Sequence, residues 1–98
     1  MRRYIFQHIF SEPLPDYEDA YSIASDICLI NDVEIWAIRG KTRIQSIVAL
    51  RVYIARELCK RGYPPSHVGD VINRDRTTVI YYRDKYIPSD NYNNLRRL

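Results

Sequence analysis

Between Gly62 and Tyr86 the chain leaves room for little except two short helices meeting at a tight corner. Pro64 and Pro65 fix the backbone on the way in, and Ser66 is expected to cap a helix running to about Ile72 with Val68, Val71 and Ile72 turned inward. Asn73 and Arg74 make the turn. Asp75 or Thr77 then caps a second helix reaching about Tyr86, with Val79, Tyr82 and Tyr86 on its buried stripe. The open end of that second helix carries Arg74, Asp75, Arg76, Thr77 and Thr78. Hydrogen-bonding side chains on a helix start, flanked by cations, suit the edges of base pairs in a major groove. Arginine donates to guanine, a carboxylate accepts from the cytosine amino group, and threonine methyls meet the thymine methyl. The expected fold is therefore all-α, a small helical domain containing a helix-turn-helix, and the expected partner is double-stranded DNA.

Each of these residues also has a plainer reading. Asp75, Thr77 and Thr78 are all good helix caps, and one of them must do that job. Arg76 has no carboxylate at helical spacing, which leaves it for a base or a phosphate. Tyr81 points outward beside the threonines, where it reaches a sugar or phosphate, whereas Arg83 and Lys85 are expected to be ordinary solvated charges.

The charge distribution agrees with a polyanionic partner. Residues 1–38 hold Arg2 and Arg3 against seven acids, a net −5, while residues 39–98 hold thirteen Lys and Arg against five acids, a net +8, giving +3 for the chain. A solvated basic surface is the bland alternative. With 98 residues the chain is expected to be one domain, divided into an apolar arm over residues 1–15, the helical domain over 16–87 and a loose polar tail over 88–98.

Ahead of the corner, the arm contains Tyr4 to Phe10, which either packs over the domain or meets another chain; Arg2 and Arg3 beside it could reach a phosphate. Asp16 is expected to open a helix ending near Ile30, with Ala20, Ile23, Ala24 and Ile27 buried. Asn31 breaks it. Asp32 then caps a short helix through Ile38, anchored by Ile35 and Trp36 and stopped by a left-handed Gly40. The run Arg39-Gly40-Lys41-Thr42-Arg43 superficially resembles a phosphate-binding P-loop, but Ile35 stands where the first glycine of that motif belongs. It is better read as a basic loop that lies along a phosphate ridge or pushes an arginine into a minor groove.

The longest helix should cover Ile44 to Lys60, with Ile44, Ile47, Val48, Ala55, Leu58 and Cys59 on its apolar face and Gln45, Tyr53, Arg56 and Lys60 turned away. Arg51 falls inside the apolar face and so must snorkel, pair with an acid or emerge where DNA lies; a structural role is favoured. Gly62 ends that helix. At the next one, the free N–H groups at Ser66 and His67 offer a phosphate contact.

The run Val68-Gly69, followed by Asn73-Arg74-Asp75-Arg76-Thr77-Thr78-Val79, resembles the signature at the end of bacterial chromosomal replication initiators, the DnaA family, which commonly reads Ile-Gly and then Gly-Arg-Asp-His-Thr-Thr-Val. The resemblance spans about Asp16 to Tyr86. Arg76 stands where the family has His, the turn is one residue shorter, and the usual proline near the start of the long helix is missing. What the resemblance implies is an initiator C-terminal-domain-like, or Trp-repressor-like, fold that reads a specific duplex, with a minor-groove arginine from the basic loop. Arg43 is the first choice for that arginine and Arg39 the second. It also implies a role in replication initiation or transcription regulation, whether chromosomal or for a phage or other mobile element, although a chain of this length has no room for an initiator's ATPase.

The DNA-binding set expected from residues and resemblance together is Arg39, Lys41, Arg43, Ser66, Arg74, Asp75, Arg76, Thr77, Thr78 and Tyr81. The competing expectation is a protein-interaction module that uses the arm to bind or block a replication or transcription protein. No cofactor is expected. No nucleophile and base stand at a credible spacing, so an enzyme is not expected. His8, Cys28, Cys59 and His67 lack the close pairing of a structural zinc site, and the two cysteines read as small buried hydrophobes in a reducing compartment. No apolar run approaches the length of a membrane span, which predicts a cytoplasmic, nucleoid-associated protein, or one in the host cytoplasm if phage-encoded. No heptad pattern indicates pairing, so the oligomeric state stays open.

Overall fold

A computed structural model describes residues 17–98 as six helices: α1 (Tyr17–Ile30), α2 (Ile35–Arg39), α3 (Gln45–Lys60), α4 (Pro65–Ile72), α5 (Arg76–Asp84) and α6 (Asp90–Asn93). There is no strand among the described residues, so the domain is all-α. The expected arm, with Arg2, Arg3 and His8, lies outside the described residues, as does the Asp16 cap. Helix α1 buries Ala20, Ala24, Ile27 and Cys28, the stripe that its period dictates, and Ile23 packs at the margin.

Helix α1 stops differently from expectation. Asp32 adopts a left-handed conformation (φ 58°), so that the Val33 N–H reaches the Cys28 carbonyl (3.0 Å) and the Asp32 N–H reaches that of Leu29 (3.1 Å). Asp32 therefore closes α1 rather than opening α2, whose cap position is Glu34, with no side-chain bond. Gly40, expected to be left-handed, is extended (φ −85°). Trp36, expected as an anchor, is 72% exposed, and Ile38 fills the core in its place.

Helix α3 is the axis of the domain and touches all five other helices. Residues Ala49 through Ala55 are consequently buried on every side, not along one stripe. Tyr53 and Arg56, expected to face outward, are drawn in: Tyr53 is buried, and Arg56 donates to the carbonyls of Tyr82 and Tyr86 (both 2.8 Å), closing the end of α5. Ile44, expected in the core, is exposed. The helix ends at Gly62 (φ 102°) as its glycine suggests, with the Tyr63 N–H returning to the Leu58 carbonyl (3.1 Å).

The expected loose tail is structured. Ser89 caps α6 by accepting from the Tyr92 N–H (3.4 Å), and the Tyr92 ring sits edge-on to Tyr53 and beside Tyr86 (centroids 6.3 and 6.0 Å). The guanidinium groups of Arg56 and Arg97 lie over that ring. Beyond it, the Arg96 backbone exchanges two hydrogen bonds with the Asn31 side chain (2.9 and 3.0 Å), which ties the chain end to the corner after α1.

Candidate nucleic-acid interface

Helices α4 and α5 meet through Asn73, Arg74 and Asp75. Asn73 takes the left-handed conformation (φ 59°) that lets the Arg74 N–H fold back onto the Gly69 carbonyl (2.8 Å). The returning chain then passes directly over Gly69. A Cβ at that position would collide with the Arg74 carbonyl oxygen, so only glycine fits. The corner opens α5 with Asp75, whose carboxylate accepts from the Thr78 N–H (2.8 Å). Bonds from the Thr78 hydroxyl and then its N–H hold the Asp75 carboxyl below its ordinary value of 3.8. Val79 and Tyr82 fasten the helix to the core.

Several of the residues expected to read DNA stand on the open side of α5. Arg76 and Thr77 are exposed, Tyr81 is exposed, and Thr78 is half-buried beside its bond to Asp75. Arg76 makes no ion pair or hydrogen bond with any described residue. Ser66 is exposed but is not the cap: Pro64 occupies that position, Pro65 is the first helical residue, and no side chain closes the helix start. The backbone entry set by the prolines thus does the work expected of the serine.

The basic loop is held far more firmly than its sequence suggests. Arg51, 2% exposed, donates through Nε to the Ile38 carbonyl (2.7 Å) and through Nη2 to those of Thr42 (3.4 Å) and Gly40 (3.5 Å). Its partners are backbone carbonyls rather than an acid. Arg74, expected at the DNA surface, turns inward to the Gly40 carbonyl (2.6 Å) and to the carbonyls of Ile72 and Asn73 (3.4 and 2.9 Å). Arg39 points back across the corner to the carbonyls of Val71 (3.0 Å) and Asp70 (3.3 Å) at the end of α4, where a cation meets the negative end of the helix. The Asn73 amide donates to the Arg39 carbonyl in return (3.0 Å). Loop, corner and α3 therefore form one fastened unit.

Lys41 and Arg43 remain exposed on the outer side of that unit, without an ion pair to any described residue. Of the residues expected to meet DNA, the structure leaves Lys41, Arg43, Ser66, Arg76, Thr77 and Tyr81 fully outside, engages Asp75 and Thr78 with each other, and commits Arg39 and Arg74 to the framework. Asn73 was expected at the turn but not its left-handed conformation, and the close approach over Gly69 was missed. The Asn at a helix end and the Gly one turn before it are their only sequence signals.

Burial, and secondarily Glu34, pushes the Cys28 thiol up to about 11; Cys59, only partly covered, is also raised by burial. Among the described residues no three His, Cys, Asp or Glu side chains gather as metal ligands, and no helix is long and apolar enough to cross a membrane. The chain matches no protein-family model, no curated protein and no solved structure.

Proposed function

We propose that this domain binds double-stranded DNA sequence-specifically, with α4, the corner and α5 acting as a helix-turn-helix. The observation that carries the reading is the exposed first turn of α5, where Arg76 and Thr77 project from a helix whose base is fixed by the Asp75 cap and by Val79 and Tyr82 in the core. A rigid presentation of short polar side chains is what major-groove readout needs, because each bidentate contact must be held in register. Arg76 addresses a guanine edge, Thr77 a thymine methyl, the outer oxygen of Asp75 a cytosine amino group, and Tyr81 the adjoining backbone. Arg43, ahead of Arg39, enters the neighbouring minor groove from the locked loop, while Lys41 and the start of α4 at Ser66 contact phosphates.

The likeness of the 68–79 run to the replication initiators supports a setting in replication or transcription control, within the cytoplasm and associated with a nucleoid or a phage genome. Selection of a preferred duplex from a random pool, followed by anisotropy titrations over a salt series, tests the function. The expected result is one enriched motif with steeply salt-dependent affinity. Equal affinity for every sequence would reduce the domain to nonspecific binding, and absence of binding at low salt would end the proposal.

A further inference from the structure

A cleft of about 460 Å³ opens between the basic loop, the middle of α3 and the side of α5, with Lys41, Thr42, Arg43, Arg51, Arg74 and Tyr82 among its walls. Four of those side chains are cations and none of the lining residues is an acid. Arg51 and Arg74 both spend an N–H on the same Gly40 carbonyl oxygen, so two guanidinium groups converge on one point. Proteins place two such groups together at a cost unless a negative charge lies between them. Burial first, and the nearby charge of Arg74 second, lower the pKa of Arg51, while the Tyr82 hydroxyl partly offsets this. Carbonyls also leave donors over: Arg74 has five N–H groups, of which its three carbonyl partners take three, so Nε–H and one Nη2–H have no acceptor among the described residues.

We infer that this cleft seats one phosphate group. A tetrahedral oxyanion offers acceptors to the two spare N–H donors of Arg74, the buried and carbonyl-bonded Arg51 adds its charge from behind, and Lys41 and Arg43 on the rim complete the coordination. The carbonyl bonds that hold Arg51 and Arg74 preorganise them, so that binding does not have to order those two long side chains. Thr78 stands one turn before Tyr82 on the same side of α5, which sets the cleft beside the helix start already assigned to base readout. The inference deepens the DNA reading by naming a backbone anchor for it, and depends on that reading only for the source of the phosphate.

The test follows the Nε–Hε signals of Arg51 and Arg74 and the amide signals of Lys41 and Arg43 by NMR during titration with inorganic phosphate, replacing chloride at constant ionic strength. Saturable shifts confined to these residues are expected, and Lys41→Gln with Arg43→Gln, both exposed and harmless to folding, should weaken the binding about fivefold. Shifts that do not saturate, that appear equally at Arg61, which pairs with Glu57 and is no part of the cleft, or that persist unchanged in the double variant mean an adventitious ion only and overturn the site. A second arm adds the selected duplex: the same signals should move, and one methylphosphonate at the contacting position should weaken binding about fivefold. Saturation by phosphate without any duplex binding keeps the site, for a free phosphate, and refutes the DNA reading. Duplex binding with the cleft signals unmoved by either ligand keeps the DNA reading and refutes the site.

Discussion

At the scale of single residues, the division between framework and reader decides what each side chain is worth. Arg76 is exposed and makes no hydrogen bond or ion pair with a described residue, so Arg76→Ala should leave the thermal midpoint unchanged and cost about 1–3 kcal/mol of binding at a single base pair, measured by competition among single-site variants of the selected duplex. A uniform loss across all variants would make Arg76 a phosphate contact. Asp75 behaves oppositely. Its folded pKa lies below its unfolded one, so the ionised cap stabilises fully above the ordinary value of 3.8 and is lost as pH falls through the lower folded value. Urea midpoints of the parent protein and Asp75→Asn should converge across that acid window, because the Asn cap carries no titrating charge; curves that stay parallel would remove the linkage. Residue type named Asp75 among the candidate caps without separating it from Thr77, and the bond from the Thr78 N–H decides for Asp75. The partners of Arg51 were not, because they are loop carbonyls 9–13 residues away and periodicity describes side chains, not where a backbone curls.

At the scale of elements, helical periods in the sequence located α1, α3, α4 and α5 to within a few residues, since buried positions recur every three or four residues whatever the detail of the ends. The ends themselves were harder. Asp32, expected to open the next helix, and Asn73, expected at the turn, take left-handed conformations, whereas Gly40, expected to be left-handed, takes an extended one. Which residue turns left depends on the hydrogen bonds that close the helix, such as Val33 N–H to Cys28, and no single residue type announces them. The corner between α4 and α5 is the most exacting end. Gly69→Ala presses a methyl group into the Arg74 carbonyl and should destabilise the domain by about 1–3 kcal/mol in chemical denaturation, with a larger loss of specific than of nonspecific DNA affinity as α5 shifts. An unchanged midpoint would mean that the corner relaxes freely.

At the scale of the whole molecule, the single-stripe rule failed for α3 because that helix is enclosed by all five others, so Tyr53 is interior and Arg56 half-buried although they lie off the most apolar face. The same enclosure explains the structured tail: Tyr92 and Leu95 cover what α5 leaves open. Ending the chain after Ile87 should therefore uncover Tyr53 and Tyr86 and lower the thermal midpoint by several degrees, since burying one large aromatic ring stabilises by about 1–3 kcal/mol, while an unaltered melt would reduce the tail to decoration. The loop between α2 and α3 has a last consequence. Its carbonyls at Ile38, Arg39, Gly40 and Thr42 are all claimed from within, by Arg51, Arg74 and Asn73. In a trans peptide unit the N–H points opposite to its C=O, so the amide hydrogens of Lys41 and Arg43 are turned to the outside. The segment is polarised across its width, like a ribbon with one electropositive edge built from main chain alone. Stripping both side-chain charges would leave that edge in place, and an anion would still be met by hydrogen.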